Sequence, residues 1–145
     1  MQENMPKQDN YISEKLRKII AKRANYQCEY CLLHDTDAYM AFEIDHIISK
    51  KHKGKTSESN LAYSCLNCNR SKGSDISSLT SLSRILTPLF NPRIDIWHEH
   101  FYVENGYIFS ISEIGEVTIA ILKLNAEDLV AERLVLQEIG RYPKF

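Results

Sequence analysis

The stretch Phe42-Glu43-Ile44-Asp45-His46-Ile47-Ile48-Ser49 (FEIDHIIS, residues 42–49) decides how this chain folds. Phe42, Ile44, Ile47 and Ile48 are aromatic or β-branched, the composition of a half-buried β-strand. Asp45 and His46 interrupt it with two adjacent ionisable groups. Burying such groups costs several kcal/mol unless they are paired or bound. Two readings follow: a strand end that shows one polar pair to solvent, or a metal ligand beside a general base. The flanking sequence decides between them.

Working outward, the strand is expected over residues 41–48. It gives way to SKKHKGKTSESN (49–60), a basic loop without apolar periodicity and of a length that is usually functional or mobile. Residues 60–64, NLAYS, form a second strand-like segment, and the chain turns helical from about Cys68 through NRSKGS. All four cysteines fall in two pairs around this unit, Cys28/Cys31 and Cys65/Cys68, each spaced CxxC. Disulfides or merely buried thiols are one reading. In a cytosolic chain the stronger one is a tetrahedral zinc site, closed by four thiolates and therefore structural. His34 lies nearby in sequence, but four thiolates already fill such a site. The zinc would clamp the two ends of the insert that carries FEIDHIIS.

The remainder reads as support. Ser13 is placed to cap a helix with Leu16, Ile19, Ile20 and Ala24 on its apolar face. Residues 74–93 are Ser-rich and then apolar, ending in a Pro-interrupted loop. Asn105-Gly106 between residues 100–104 and 107–111 signals a hairpin. Ser112 opens a helix to about Leu124, and a second helix spans about 126–139. Ile119, Leu122, Leu129, Leu134, Leu136, Trp97, Phe101 and Tyr102 are expected in the core. The fold class is thus α+β, with residues 1–11 as a flexible tail and 12–145 as one domain, its core at 24–75 and a C-terminal extension at 76–145.

The net charge of −1 does not advertise a polyanion binder, but its distribution is uneven. Residues 1–73 hold 12 Lys and Arg against 9 Asp and Glu, and residues 74–145 hold 6 against 10. The excess of positive charge lies where the motifs lie. No run approaches the roughly 20 apolar residues of a membrane span, and the N-terminus has no apolar signal-peptide core, so a cytoplasmic location is expected.

In chain order the sequence reads CEYC, FEIDHIIS, then NLAYSCLNCNRSK, with His46, Asn60 and Asn69 in register. This resembles the HNH endonuclease family in its zinc-stapled form, with Asn in place of the last His. The resemblance covers residues 28–73. LFNPRIDIWHEHF and IGEVTIAILKLN are similar to extensions of some stand-alone bacterial HNH proteins. It implies a ββα-metal fold and phosphodiester hydrolysis with one divalent cation. It makes His46 the general base, Asp45 and Asn69 the cation's ligands, and Asn60 the brace of the loop. Lys72 would share the helix face of Asn69 and meet the phosphate. Lys50, Lys51 and Arg70 would contact DNA phosphates. A carboxylate and an amide oxygen suit Mg²⁺ or Mn²⁺. Neighbours in a strand point to opposite faces, so Asp45 and His46 are expected where the strand ends. The partner implied is DNA, double-stranded in the first instance, with a homodimer or a partner protein supplying specificity. A non-catalytic zinc-stabilised nucleic-acid-binding module is the alternative; it needs the cysteines and basic loop but not Asp45, His46 and Asn69 together.

Overall fold

Two short antiparallel strands, β1 (Glu43–His46) and β2 (Leu61–Ser64), and the helix α2 (Leu66–Lys72) form the centre of the molecule. The computed structural model describes residues 11–145; the tail read at 1–11 therefore falls, but for Tyr11, outside the described residues. In the β1–β2 ladder Asp45 lies opposite Ala62 and His46 opposite Leu61. Regular pairing stops there: the Ile47 N–H still reaches the Asn60 carbonyl at 2.9 Å, and beyond it the Asn60 side chain replaces the ladder. The strand is shorter than the expected 41–48, and Ile48 is exposed.

Helix α1 (Glu14–Arg23) precedes this unit. Ser13 caps it, its hydroxyl accepting the Leu16 N–H at 3.1 Å. Only Ile20 of its apolar stripe is fully buried, and Ile19 is exposed, because the helix lies along a two-stranded sheet and covers little of it. Its last residue, Arg23, donates to the carbonyls of Glu58 (2.8 Å) and Leu61 (2.6 Å), fastening the helix to the start of β2.

The C-terminal half packs back on the knuckles. The Ser-rich segment contains a hairpin the sequence reading did not give, β3 (Ser77–Leu79) with β4 (Leu86–Pro88). Strands β5 (Phe101–Glu104) and β6 (Tyr107–Ser110) turn at Asn105 and Gly106, both at positive φ (49° and 80°), as a type I′ turn requires. Helix α3 (Glu113–Leu122) starts at Ser112, whose hydroxyl accepts the Gly115 N–H at 3.0 Å, and packs on α2. Helix α4 (Glu127–Glu138) follows. Its Arg133 is 3 % exposed yet satisfied by the carbonyls of Gly106 (2.7 Å) and Leu124 (2.6 Å) and by the Asn125 amide oxygen (3.1 Å).

Phe90, Trp97, Phe101, Ile108, Val117, Leu122 and Leu124 share one core with the four cysteines. The Trp97 indole donates to the Tyr30 carbonyl (2.9 Å) and the Tyr142 hydroxyl to the Cys31 carbonyl (2.6 Å), so the extension is tied to the first knuckle. Two expected core residues are not there. Tyr102 lies on the outer face of its hairpin, stacked on Phe109 across the strands, and Leu134 is exposed. Among the described residues no helix is long and apolar enough to cross a membrane.

Candidate active site and metal centre

The first knuckle is a tight turn: the Cys28 N–H meets the Leu33 carbonyl at 2.7 Å, and Leu32 adopts positive φ (67°) to close it. In the second, Cys65 is the N-cap of α2, its sulfur accepting the Cys68 N–H at 3.4 Å. The four buried sulfurs lie within 4.8 Å of one another, and those of Cys31 and Cys65 are 3.8 Å apart. A zinc ion with Zn–S bonds of about 2.3 Å needs a tetrahedral edge of about 3.8 Å, so the donor set fits. Burial opposes ionisation of Cys28, yet hydrogen bonds from Cys31, Cys65 and Cys68 hold its pKa well below the ordinary thiol range. His34 stays out of the cluster and caps a short turn, accepting the Thr36 N–H.

Asp45 is tied to the first knuckle through the Tyr30 hydroxyl and is 3 % exposed. Its Oδ2 accepts the Tyr30 hydroxyl at 2.6 Å and lies 3.1 Å from the Lys72 ammonium, whereas its Oδ1, among the described residues, has only a longer contact of 3.4 Å with that ammonium. Burial raises its pKa, against the pull of Lys72 and Tyr30. Asp45 is thus tolerated because it is paired inside the protein, not because it faces open solvent.

The reading of Lys72 as a phosphate contact is corrected. Its side chain is 1 % exposed, held by Asp45 and by the His46 carbonyl at 3.1 Å, and it presents no ammonium at the surface. Helical spacing puts Lys72 one turn after Cys68, and that turn faces the sheet rather than solvent.

His46 points elsewhere. Its imidazole is half-buried, with Nε2 2.9 Å from the Thr56 hydroxyl. Burial, then the charges of Lys50 and Lys72, hold its pKa below the ordinary value of about 6.5, so the ring is a neutral base at neutral pH. Asn60 closes the loop between the strands. Its amide donates to the carbonyls of Ile48 and Lys55 (both 2.9 Å), and its oxygen accepts the Ile48 N–H (2.9 Å). Gly54 lies against the same atoms: a Cβ there would stand 1.7 Å from the Ile48 carbonyl oxygen and 2.9 Å from the Asn60 amide nitrogen. Gly54→Ala should therefore push the loop off Asn60 and displace Thr56 from His46. A cleavage assay should show a loss of about 100-fold, the cost of roughly 1 Å of misplacement, with circular dichroism and zinc content unchanged.

Asn69 is half-buried on α2, Lys50 is half-buried, and Arg70 and Lys51 are exposed. Two residues that matter here were not singled out in the sequence: Tyr30, hidden as a spacer inside CEYC, and Thr56, one of several hydroxyl residues in the loop. Only the position of Tyr30 between the two cysteines of a CxxC pair carried a signal.

Residues 28–75, about a third of the chain, match the family model described as HNH endonuclease. The match supports the ββα arrangement and a role in cutting or binding nucleic acid. Neither the curated proteins nor the solved structures give a match.

Proposed function

We propose that this protein is a metal-dependent HNH endonuclease that hydrolyses DNA phosphodiester bonds, with His46 as general base. The observation that carries this reading is the placement of His46. It is a neutral, half-exposed imidazole at the end of β1, oriented by Thr56 under a loop that Asn60 braces. In the tautomer that this reading requires, Nε2–H donates to the Thr56 hydroxyl 2.9 Å away, which leaves the lone pair on Nδ1 to take the proton of an attacking water. Asp45, through Oδ1, and Asn69 would hold the catalytic cation; both offer hard oxygen donors, and Oδ1 is the less committed oxygen of its carboxylate. Mg²⁺ or Mn²⁺ bound there would stabilise charge on the phosphate and the leaving oxygen. Lys50, Lys51 and Arg70 supply cations for the DNA backbone, and Lys72 acts inside the site as the counter-charge of Asp45. The products are 5′-phosphate and 3′-hydroxyl ends. The functional unit spans residues 12–145, with the nuclease core at 24–75 and the extension buttressing it. One such site cuts one strand, so a double-strand cut requires a second copy or a second event.

The alternative, a zinc-stabilised nucleic-acid-binding module without catalysis, is favoured by one observation: Asp45 is almost fully buried and already paired. A plasmid-cleavage assay separates the two. Zinc-loaded wild type should nick supercoiled DNA with Mg²⁺ or Mn²⁺ and not with EDTA, and His46→Ala should lose about 10²–10⁴-fold. Tight DNA binding by both proteins without cleavage by either would establish the module instead.

A further inference from the structure

Two independent elements hold Asp45, and both are rooted in the zinc centre. Tyr30 sits between the ligands Cys28 and Cys31 and is 1 % exposed. Its hydroxyl is fixed on Asp45 Oδ2 and its backbone carbonyl accepts the Trp97 indole N–H, so the residue is held at its side-chain tip and at its backbone. Lys72 ends the helix that Cys65 caps and that carries Cys68. It is pinned by the His46 carbonyl as well as by Asp45. Among the described residues Oδ2 thereby receives two short contacts, at 2.6 and 3.1 Å, and Oδ1 a single long one of 3.4 Å.

We propose that Tyr30 is a positioning residue that links the zinc knuckle to the catalytic carboxylate, turning Asp45 so that only Oδ1 is offered to a divalent cation. The zinc site then does more than hold the fold: it sets the direction of one ligand in the neighbouring site. A phenol O–H is suited to this, because it satisfies one carboxylate oxygen without adding a second positive charge beside the cation. A group that orients a metal ligand in this way is typically worth about 10–100-fold in metal affinity.

The inference rests on the reading of Asp45 as a cation ligand, and the experiment separates the two. Mn²⁺ binding is measured by electron paramagnetic resonance on zinc-loaded wild type, Tyr30→Phe and Asp45→Asn, with zinc content and melting temperature recorded for each. The expected result is Mn²⁺ bound by wild type and lost in Asp45→Asn. Tyr30→Phe should keep its zinc and bind Mn²⁺ about 10–100-fold more weakly. Its kcat for DNA cleavage should fall while KM for DNA holds. Wild-type Mn²⁺ affinity in Tyr30→Phe overturns the inference alone. No Mn²⁺ binding by wild type, or unchanged binding in Asp45→Asn, overturns the ligand reading and the inference with it. Should Tyr30→Phe lose its zinc, the Tyr30 hydroxyl proton of the wild-type protein serves instead. Buried in a 2.6 Å hydrogen bond, it should give a slowly exchanging proton resonance that shifts when Mg²⁺ is added. A resonance that does not move contradicts the proposal.

Discussion

Lys72→Met should destabilise the protein by about 3–5 kcal/mol, the range for removing one partner of a buried ion pair. The side chains of Lys72 and Asp45 are 1 % and 4 % exposed, and among the described residues no other cation forms an ion pair with that carboxylate. Methionine fills the space of the lysine stem but leaves a charge that Tyr30 alone cannot neutralise. For a chain of this size the melting temperature should fall by roughly 10 °C. Part of the loss should return as pH falls, because protonating Asp45 removes the unpaired charge; burial already pushes its pKa upward in the wild type. Adding Asp45→Asn to Lys72→Met should restore most of the stability, since removing both charges costs far less than removing one. Calorimetry on the single and double variants checks this. A single variant as stable as wild type would mean that the pair is not held as the structure places it.

Removing the zinc should have the larger effect. Structural zinc contributes about 10–16 kcal/mol of apparent binding energy in small zinc domains near neutral pH, as much as the whole stability of an ordinary domain, about 5–15 kcal/mol. Here the four sulfurs are buried in the same core as Phe90, Trp97 and Phe101, and both Trp97 and Tyr142 hang on carbonyls of the first knuckle. Without the ion, β1, β2 and α2 lose the clasp that holds their ends together, and the extension loses its anchor. A strong chelator, or Cys65→Ser, should therefore abolish cooperative unfolding across the chain rather than lower its midpoint slightly. The check is metal analysis with circular dichroism: one zinc per chain in the folded protein, and lost helix signal in the zinc-free one. Zinc-free protein with the wild-type melting curve would refute a metal-dependent clasp.

Where the fold was legible, the signal was local. Ser13 and Ser112 cap helices from their own residues, and Asn105-Gly106 makes its turn from two adjacent φ angles. The aromatic and β-branched residues of FEIDHIIS and the segment NLAYS located β1 and β2 to within two residues at each end, and the helix expected from about Cys68 starts at Leu66. What stayed hidden depends on partners distant in sequence. Lys72 reads as a surface cation until Asp45, 27 positions earlier, is seen beneath it. Tyr30 reads as filler between cysteines until its hydroxyl finds the same carboxylate. The β3–β4 hairpin is built of three-residue strands with Ser or Thr at half of their positions, too short for an alternating pattern to register. Tyr102 and Leu134 were placed in the core for their apolarity alone, yet both are exposed, Tyr102 against only the Phe109 ring among the described aromatic rings.

The imidazole of His46 is proposed to remove a proton from water during phosphodiester cleavage. Chemical rescue addresses it most directly: zinc-loaded His46→Gly is given supercoiled DNA and Mn²⁺, with and without added imidazole. The expected result is slow cleavage by the variant, and a rate that rises with the concentration of unprotonated imidazole towards that of wild type. Cleavage by His46→Gly at the wild-type rate without imidazole would contradict it.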